Sequence, residues 1–249
     1  MRNATLHVDY GGVRFLIDPM LADRETSPGF ARSSNSEFRN PLVSLPMAIS
    51  DIVNVDAVVV THLHSDHWDI KAIESIDKSL PVFVQSDADA TMVRGQGFTD
   101  VRVLAATSEF RGVSLAKTSG QHGTDETLAA IPLGMVSGIV FKRAEEKCLY
   151  IAGDTIWNDH VRDAIEMHKP DVIVLNAGKA TFDGFPPIIM GEVDVIAVHK
   201  AAPEAKLVAS HMEAVNHCVL SRKALREFAE REGFSGNLAI PADGETLAL

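Results

Sequence analysis

Short apolar runs recur along the chain, some alternating with polar positions and some unbroken, each bounded by turn-forming residues. Ala4–Tyr10 and Val13–Asp18 flank Gly11-Gly12, with apolar residues at Val13, Phe15 and Ile17, which predicts a two-stranded hairpin. Asp56–Thr61 is an unbroken apolar run, the pattern of a strand buried on both faces. A helix is expected over His67–Ile76, strands at Val82–Val84, Val101–Leu104 and Val113–Thr118, and a helix over Ala88–Arg94. The alternation then repeats. Strands are expected at Gly138–Lys142 and Cys148–Ala152, a helix over Asn158–His168, and strands at Val172–Leu175 and Leu207–Ser210. A long helix is expected over Met212–Glu230, closed by Gly233. Met212, Val215, Val219 and, after a slip, Leu225 and Phe228 lie on its apolar side.

Residues 21–46 break this rhythm. The stretches Arg24–Gly29 and Arg32–Ser36 are polar and turn-rich, and a loop of this length inside a compact domain reads as a binding loop or a surface excursion. No linker-like shift in composition and no repeat divides the chain, so residues 1–249 read as a single α/β domain.

Charge narrows the function classes. With 23 Lys+Arg against 34 Asp+Glu the formal charge is −11, and the basic residues are scattered, which argues against a nucleic-acid partner. The longest uncharged stretch, residues 127–141, is interrupted by Pro132, Gly134 and Gly138 and falls short of the ~20 apolar residues of a membrane span. The 2 cysteines, Cys148 and Cys218, make no disulfide framework. The chain is therefore expected in the cytoplasm, without a membrane partner.

The chemistry concentrates at the end of the Asp56–Thr61 run. Thr61-His62-Leu63-His64-Ser65-Asp66-His67 holds three imidazoles and a carboxylate. On an extended segment His62 and His64 point the same way and can converge on one ion, and the turn that follows brings Asp66 and His67 beside it. Imidazole with carboxylate suits zinc, manganese or iron. His122 in Gly-Gln-His-Gly, Asp154 after Ala152-Gly153, and His211 after Leu207–Ser210 each follow a predicted strand, where ligands cluster in α/β folds.

These residues resemble the metallo-β-lactamase superfamily, through His-x-His-x-Asp-His at 62–67 and the later His122, Gly153-Asp154 and His211. Arg2–Thr5, Leu16–Pro19 and His211–Ala214 look most like its branch of ascorbate-6-phosphate lactonase-like hydrolases. The resemblance covers nearly the whole chain, although the chain begins within what would ordinarily be the first strand. It implies a four-layer αββα sandwich with two divalent metal ions at one edge, zinc first, with manganese or iron as alternatives. His62, His64 and His122 would hold the first ion; Asp66, His67 and His211 the second; Asp154 would bridge them.

Two such ions would lower the pKa of a shared water toward about 7 and turn it into a nucleophile. Asp66 and Asp154 are then the catalytic carboxylates, and no Gly-x-Ser-x-Gly elbow competes with them. Asp18, ending the second strand, is a candidate acceptor behind a ligand histidine. Lys179, after Val172–Leu175, is a candidate substrate-binding charge. His217, four residues from Glu213 on the expected long helix, is a second substrate contact and a reserve ligand. The reading is a metal-dependent hydrolase of a small anionic, lactone or ester substrate, with self-association as a further partner. A phosphodiesterase or nuclease, or a mononuclear iron dioxygenase, would use the same motif.

Overall fold

The computed structural model describes residues 1–249 as two β-sheets stacked face to face with helices on both outer faces, the αββα order. The first sheet runs β1 (Leu6–Tyr10), β2 (Val13–Ile17), β3 (Ala57–Val60), β4 (Val82–Val84) and β5 (Val101–Val103) in that spatial order. β1 and β2 form the expected hairpin, antiparallel with Tyr10 opposite Val13; its two central glycines both have positive φ, as a hairpin turn of the right twist requires. The other pairs in this sheet are parallel. β3 is buried throughout because it faces two cores: Ala57 and Val59 point to the second sheet, Val58 and Val60 to the helices.

The second sheet is built from β6 (Ser108–Phe110), β7 (Val113–Ser119), β8 (Ser137–Lys142), β9 (Leu149–Ile151), β10 (Val172–Asn176), β11 (Lys206–Ser210) and β12 (Leu238–Ala239), adjacent in chain order. Pairing is antiparallel from β6 to β9 and parallel from β9 to β12. Phe15, Phe83, Phe110 and Phe141 fill the space between the sheets, with Phe15 edge-on to Phe110 and Phe141.

Outside the first sheet lie α1 (Ile49–Ile52), α2 (Ile70–Ser75) and α3 (Asp87–Gly95), which contribute Ile52, Ala72, Ala90 and Val93 to that outer core. α4 (Asp125–Ala130) follows β7. Outside the second sheet, α5 (Asp159–His168), α6 (Glu192–Ala201) and α7 (Arg222–Arg231) bury Val161, Val195, Val198, Leu225 and Ala229. Side chains cap most of these helices: Asp69 for α2, Ser86 for α3, Asn158 for α5 and Ser221 for α7. No helix is long and apolar enough to cross a membrane.

Two expectations are corrected. The helix expected from His67 begins only at Ile70, because Asp69 is its cap and His67 belongs to the preceding turn. The long helix over Met212–Glu230 does not exist as such: only Arg222–Arg231 is helical. His211 and Glu213 have positive φ, and residues 212–221 run as a loop pinned by tertiary hydrogen bonds. Glu213 and His217 therefore share no helix face; Glu213 pairs with Arg222 at 2.7 Å.

Candidate metal centre

The sequence motif and three remote residues meet at one end of the two sheets. His62 to His67 leave the end of β3, His122 follows β7, Asp154 follows β9 and His211 follows β11. All but His64 are buried, and His64 is half-buried.

The donor atoms fall into three overlapping groups: His62, His64 and His122; Asp66, His67 and His211; and His62, His67 and Asp154. Asp154 stands between the first two. Its Oδ2 lies 3.2 Å from His67 Nε2, 3.6 Å from His122 Nε2 and 3.9 Å from His62 Nε2, and its Oδ1 lies 3.7 Å from His211 Nε2. Ring nitrogens also face one another, His62 Nε2 at 3.0 Å from His64 Nδ1 and His67 Nε2 at 3.2 Å from His211 Nε2.

The other face of each ring explains this orientation. His67 Nδ1 donates to Asp18 Oδ2 at 2.9 Å, and Asp18 also accepts from the Thr61 amide and hydroxyl. Thr61 Oγ1, its own proton committed to Asp18, lies 3.2 Å from His62 Nδ1. His122 Nδ1 donates to the Ile188 carbonyl at 2.8 Å, and His211 Nδ1 faces Cys218 Sγ at 3.4 Å. In all four rings the outer nitrogen is engaged, which points Nε2 at the centre. Asn176 Nδ2 holds Asp154 Oδ1 at 2.7 Å. At the chain start, Asn3 donates to the Asp66 carbonyl and accepts from the His211 amide, tying two ligand-bearing turns together.

Buried lone pairs and carboxylates converging at 3–4 Å are the donor set of a divalent cation, and they are costly to bury without one. The electrostatics agree. Against the upward push of burial, the His67 and His211 imidazoliums hold Asp154 well below the usual carboxylate range, and Asp66 is likewise lowered. Burial pushes His62 and His122 down, so both are neutral.

Beside this cluster is a cavity of about 160 Å³. Its polar lining is His64, Ser65, Asp66, His122, Asp154 and His217, and its apolar lining is Phe30, Leu133, Phe182 and Ile188; no lysine or arginine lines any of it. A larger open groove of about 400 Å³ between α5 and α6 contains none of the ligand groups.

His217 is buried in the cavity wall, its Nδ1 has no hydrogen-bonding partner, and burial lowers its pKa to about 4. It belongs to none of the three donor groups. Lys179 does not line the cavity: its ammonium pairs with Glu192 at 2.7 Å. The apolar wall and the supporting groups Thr61, Asn176 and Cys218 are absent from the sequence reading. For Asn176 and Cys218 a signal existed, a polar residue ending an apolar strand and a cysteine seven positions after a ligand histidine. For the wall there was none.

The sequence pattern of the beta-lactamase superfamily domain matches residues 13–212. The UPF0173 protein YddR of Bacillus subtilis is 47% identical over all of this chain and 98% of its own length. A UPF0173 metal-dependent hydrolase of Bacillus cereus is 28% identical across 84% of this chain and 82% of its own. Among solved structures, the isothiocyanate hydrolase from Delia radicum gut bacteria is 45% identical and superposes with a TM-score of 0.97, covering 100% of this chain and 97% of that one.

Proposed function

Because the chain belongs to the beta-lactamase superfamily, whose UPF0173 members include metal-dependent hydrolases, we propose that it hydrolyses small, uncharged isothiocyanate-type substrates with two divalent ions, zinc in the first instance. The observation that carries the reading is the composition of the cavity: metal donors beside apolar side chains, and no cationic side chain in its lining. At about 160 Å³ the cavity suits a small molecule. The full-length likeness to an isothiocyanate hydrolase supports the same class. An anionic substrate would meet no protein cation here, and Lys179 is already neutralised by Glu192. A small neutral lactone or ester would fit the same space and belongs in the same assay.

His62, His64 and His122 would hold one ion, Asp66, His67 and His211 the other, with Asp154 between them. Bound there, the ions supply Lewis acidity and an activated water. In the reaction, water oxygen bonds to the central carbon of R–N=C=S as the C=N π bond breaks and nitrogen takes a proton. The hydroxyl proton of the resulting thiocarbamic acid then passes to nitrogen as the C–N bond breaks, releasing amine and carbonyl sulfide. The chain's own part is to aim the donors through Asp18, Thr61 and the Ile188 carbonyl, to exclude bulk water with Phe30 and Phe182, and to offer the neutral His217 ring to the substrate heteroatoms.

The test is metal analysis by mass spectrometry on protein purified without chelator or metal-affinity resin, followed by assay of amine release from methyl isothiocyanate. About two equivalents of metal are expected, with activity falling at least ~100-fold in His64→Ala and Asp154→Ala. Full activity in both variants, or a single equivalent of iron, overturns the reading.

A further inference from the structure

Residues 21–46 contain no helix or strand, yet one buried side chain beside the site gathers much of the segment around itself. Asn216 Oδ1 accepts from the Phe30 amide and from Asn40 Nδ2, both at 2.9 Å. Its Nδ2 donates to Ser33 Oγ and to the Ser34 carbonyl, also at 2.9 Å. The Asn216 amide donates to Asn40 Oδ1 at 2.8 Å, and its carbonyl accepts from Asn35 Nδ2 at 3.1 Å. Every one of these bonds reaches residues 30–40. They saturate the amide's hydrogen-bonding capacity in a water-free place, where losing one partner strands the rest.

The consequence is felt in the cavity. Asn216 precedes His217, and the Phe30 ring it positions stands edge-on to the His217 ring at 4.6 Å. Phe182 faces the same imidazole at 5.9 Å, and its backbone bridges to Ser33 of the same loop. Leu133 and Ile188 complete this group. The loop thus contributes Phe30 to an apolar cluster beside the metal donors, and the only polar member of that cluster is a neutral imidazole.

We infer that this cluster is a subsite for the substrate's uncharged alkyl or aryl substituent, in which Phe30 determines specificity and Asn216 is the positioning residue that holds Phe30 in place. The inference rests on the cavity being the reaction site. It adds what the site selects: chain length and apolarity of the group carried by the electrophile.

Two probe series test it on the full-length, metal-loaded protein. The first is kcat/KM for methyl, butyl and benzyl isothiocyanate. The second is calorimetric Kd for the N-methyl, N-butyl and N-benzyl thioureas, neutral compounds that bind without being turned over. Burial of each added methylene should improve either quantity about fourfold, on the order of 50-fold from methyl to butyl. In Phe30→Ala and Asn216→Ala that ratio should fall below about tenfold, with metal content retained and, for Asn216→Ala, new protease cleavage within 21–46. A common loss on all probes with the ratio kept would mean a structural role only, and would overturn the inference. A size preference in the thioureas that Phe30→Ala removes, with no isothiocyanate hydrolysed, would leave the subsite standing and sink the proposed reaction. Hydrolysis without size preference would do the reverse.

Discussion

In protein stripped of metal, two ligand histidines compete with the ion for their own lone pairs. Burial alone would push His67 down, but Asp154, Asp18 and Asp66 outweigh it and raise its pKa to about 10; His211 is raised well above its ordinary value, burial again being outweighed by Asp154 and Cys218. At neutral pH both rings then carry a proton that a cation must displace. Metal uptake near pH 7 should release on the order of two protons per chain, read by calorimetry in buffers of different ionisation enthalpy. Stability of the stripped protein follows the same groups. Because the folded pKa of His67 is raised, its contribution is complete below about 6.5 and is lost as pH climbs toward about 10. Asp66 and Asp154 have lowered folded values, so theirs is present above about 3.8 and is lost as pH falls further. Thermal melts at pH 6 and 10 should show a clear drop for chelated protein and little for zinc-loaded protein. Asp18 aims His67 directly and His62 through Thr61, so Asp18→Asn should weaken metal binding about 10–100-fold, measured by chelator competition, while the far-ultraviolet circular dichroism stays unchanged.

At the level of elements, the ligands are carried by strand ends and the substrate wall by loops, and this division explains what was legible. β3 and the first four residues of β10 are unbroken apolar runs buried on both faces, a pattern that marks a central strand. The motif at 62–67 declares itself through residue type, independent of geometry. By contrast α6 has apolar residues around its whole circumference and shows no single face, while β6 and β12 are too short to carry a period and exist through pairing. The segment after His211 looked helical because Met212 and Val215 are buried at helical spacing. They are in fact buried in two separate cores by a turning loop. Phe30 and Phe182 lie far apart in sequence and are brought together by tertiary hydrogen bonds and by packing on a shared apolar cluster, so no local pattern marks them. The turning loop needs room. A methyl group on Gly178 would collide with the His211 carbonyl and the Cys218 sulfur, both rigidly placed. Gly178→Ala should therefore push the His211 loop outward and lower metal content, not merely stability; retention of full metal with native melting would refute this.

For the whole molecule, the centre spans a joint. His62, His64, Asp66 and His67 come from the first sheet and His122, Asp154 and His211 from the second, so a bound ion links two layers that otherwise meet through side-chain packing and a few hydrogen bonds such as Ser137 to the Thr61 carbonyl. The N-terminal residues cross the same joint, with Asn3 bonded to Asp66 on one side and to His211 and Ser210 on the other. Stripping the metal should thus loosen this end of the sandwich without unfolding the sheets, because Phe15, Phe83 and Phe141 hold them together elsewhere. Zinc at 100 times its dissociation constant stabilises a folded protein by about 2.7 kcal/mol, which for a chain of this size means a rise in melting temperature of roughly 5–10 °C. Hydrogen exchange locates the effect. Chelation should raise exchange at 61–68, 120–123, 153–155 and 211–218, the segments that carry the ligands, and leave β2, β3 and β8 protected. A uniform loss of protection would mean that the ion holds the whole fold together. No change at the four segments would mean that the seven donors never close on a metal at all.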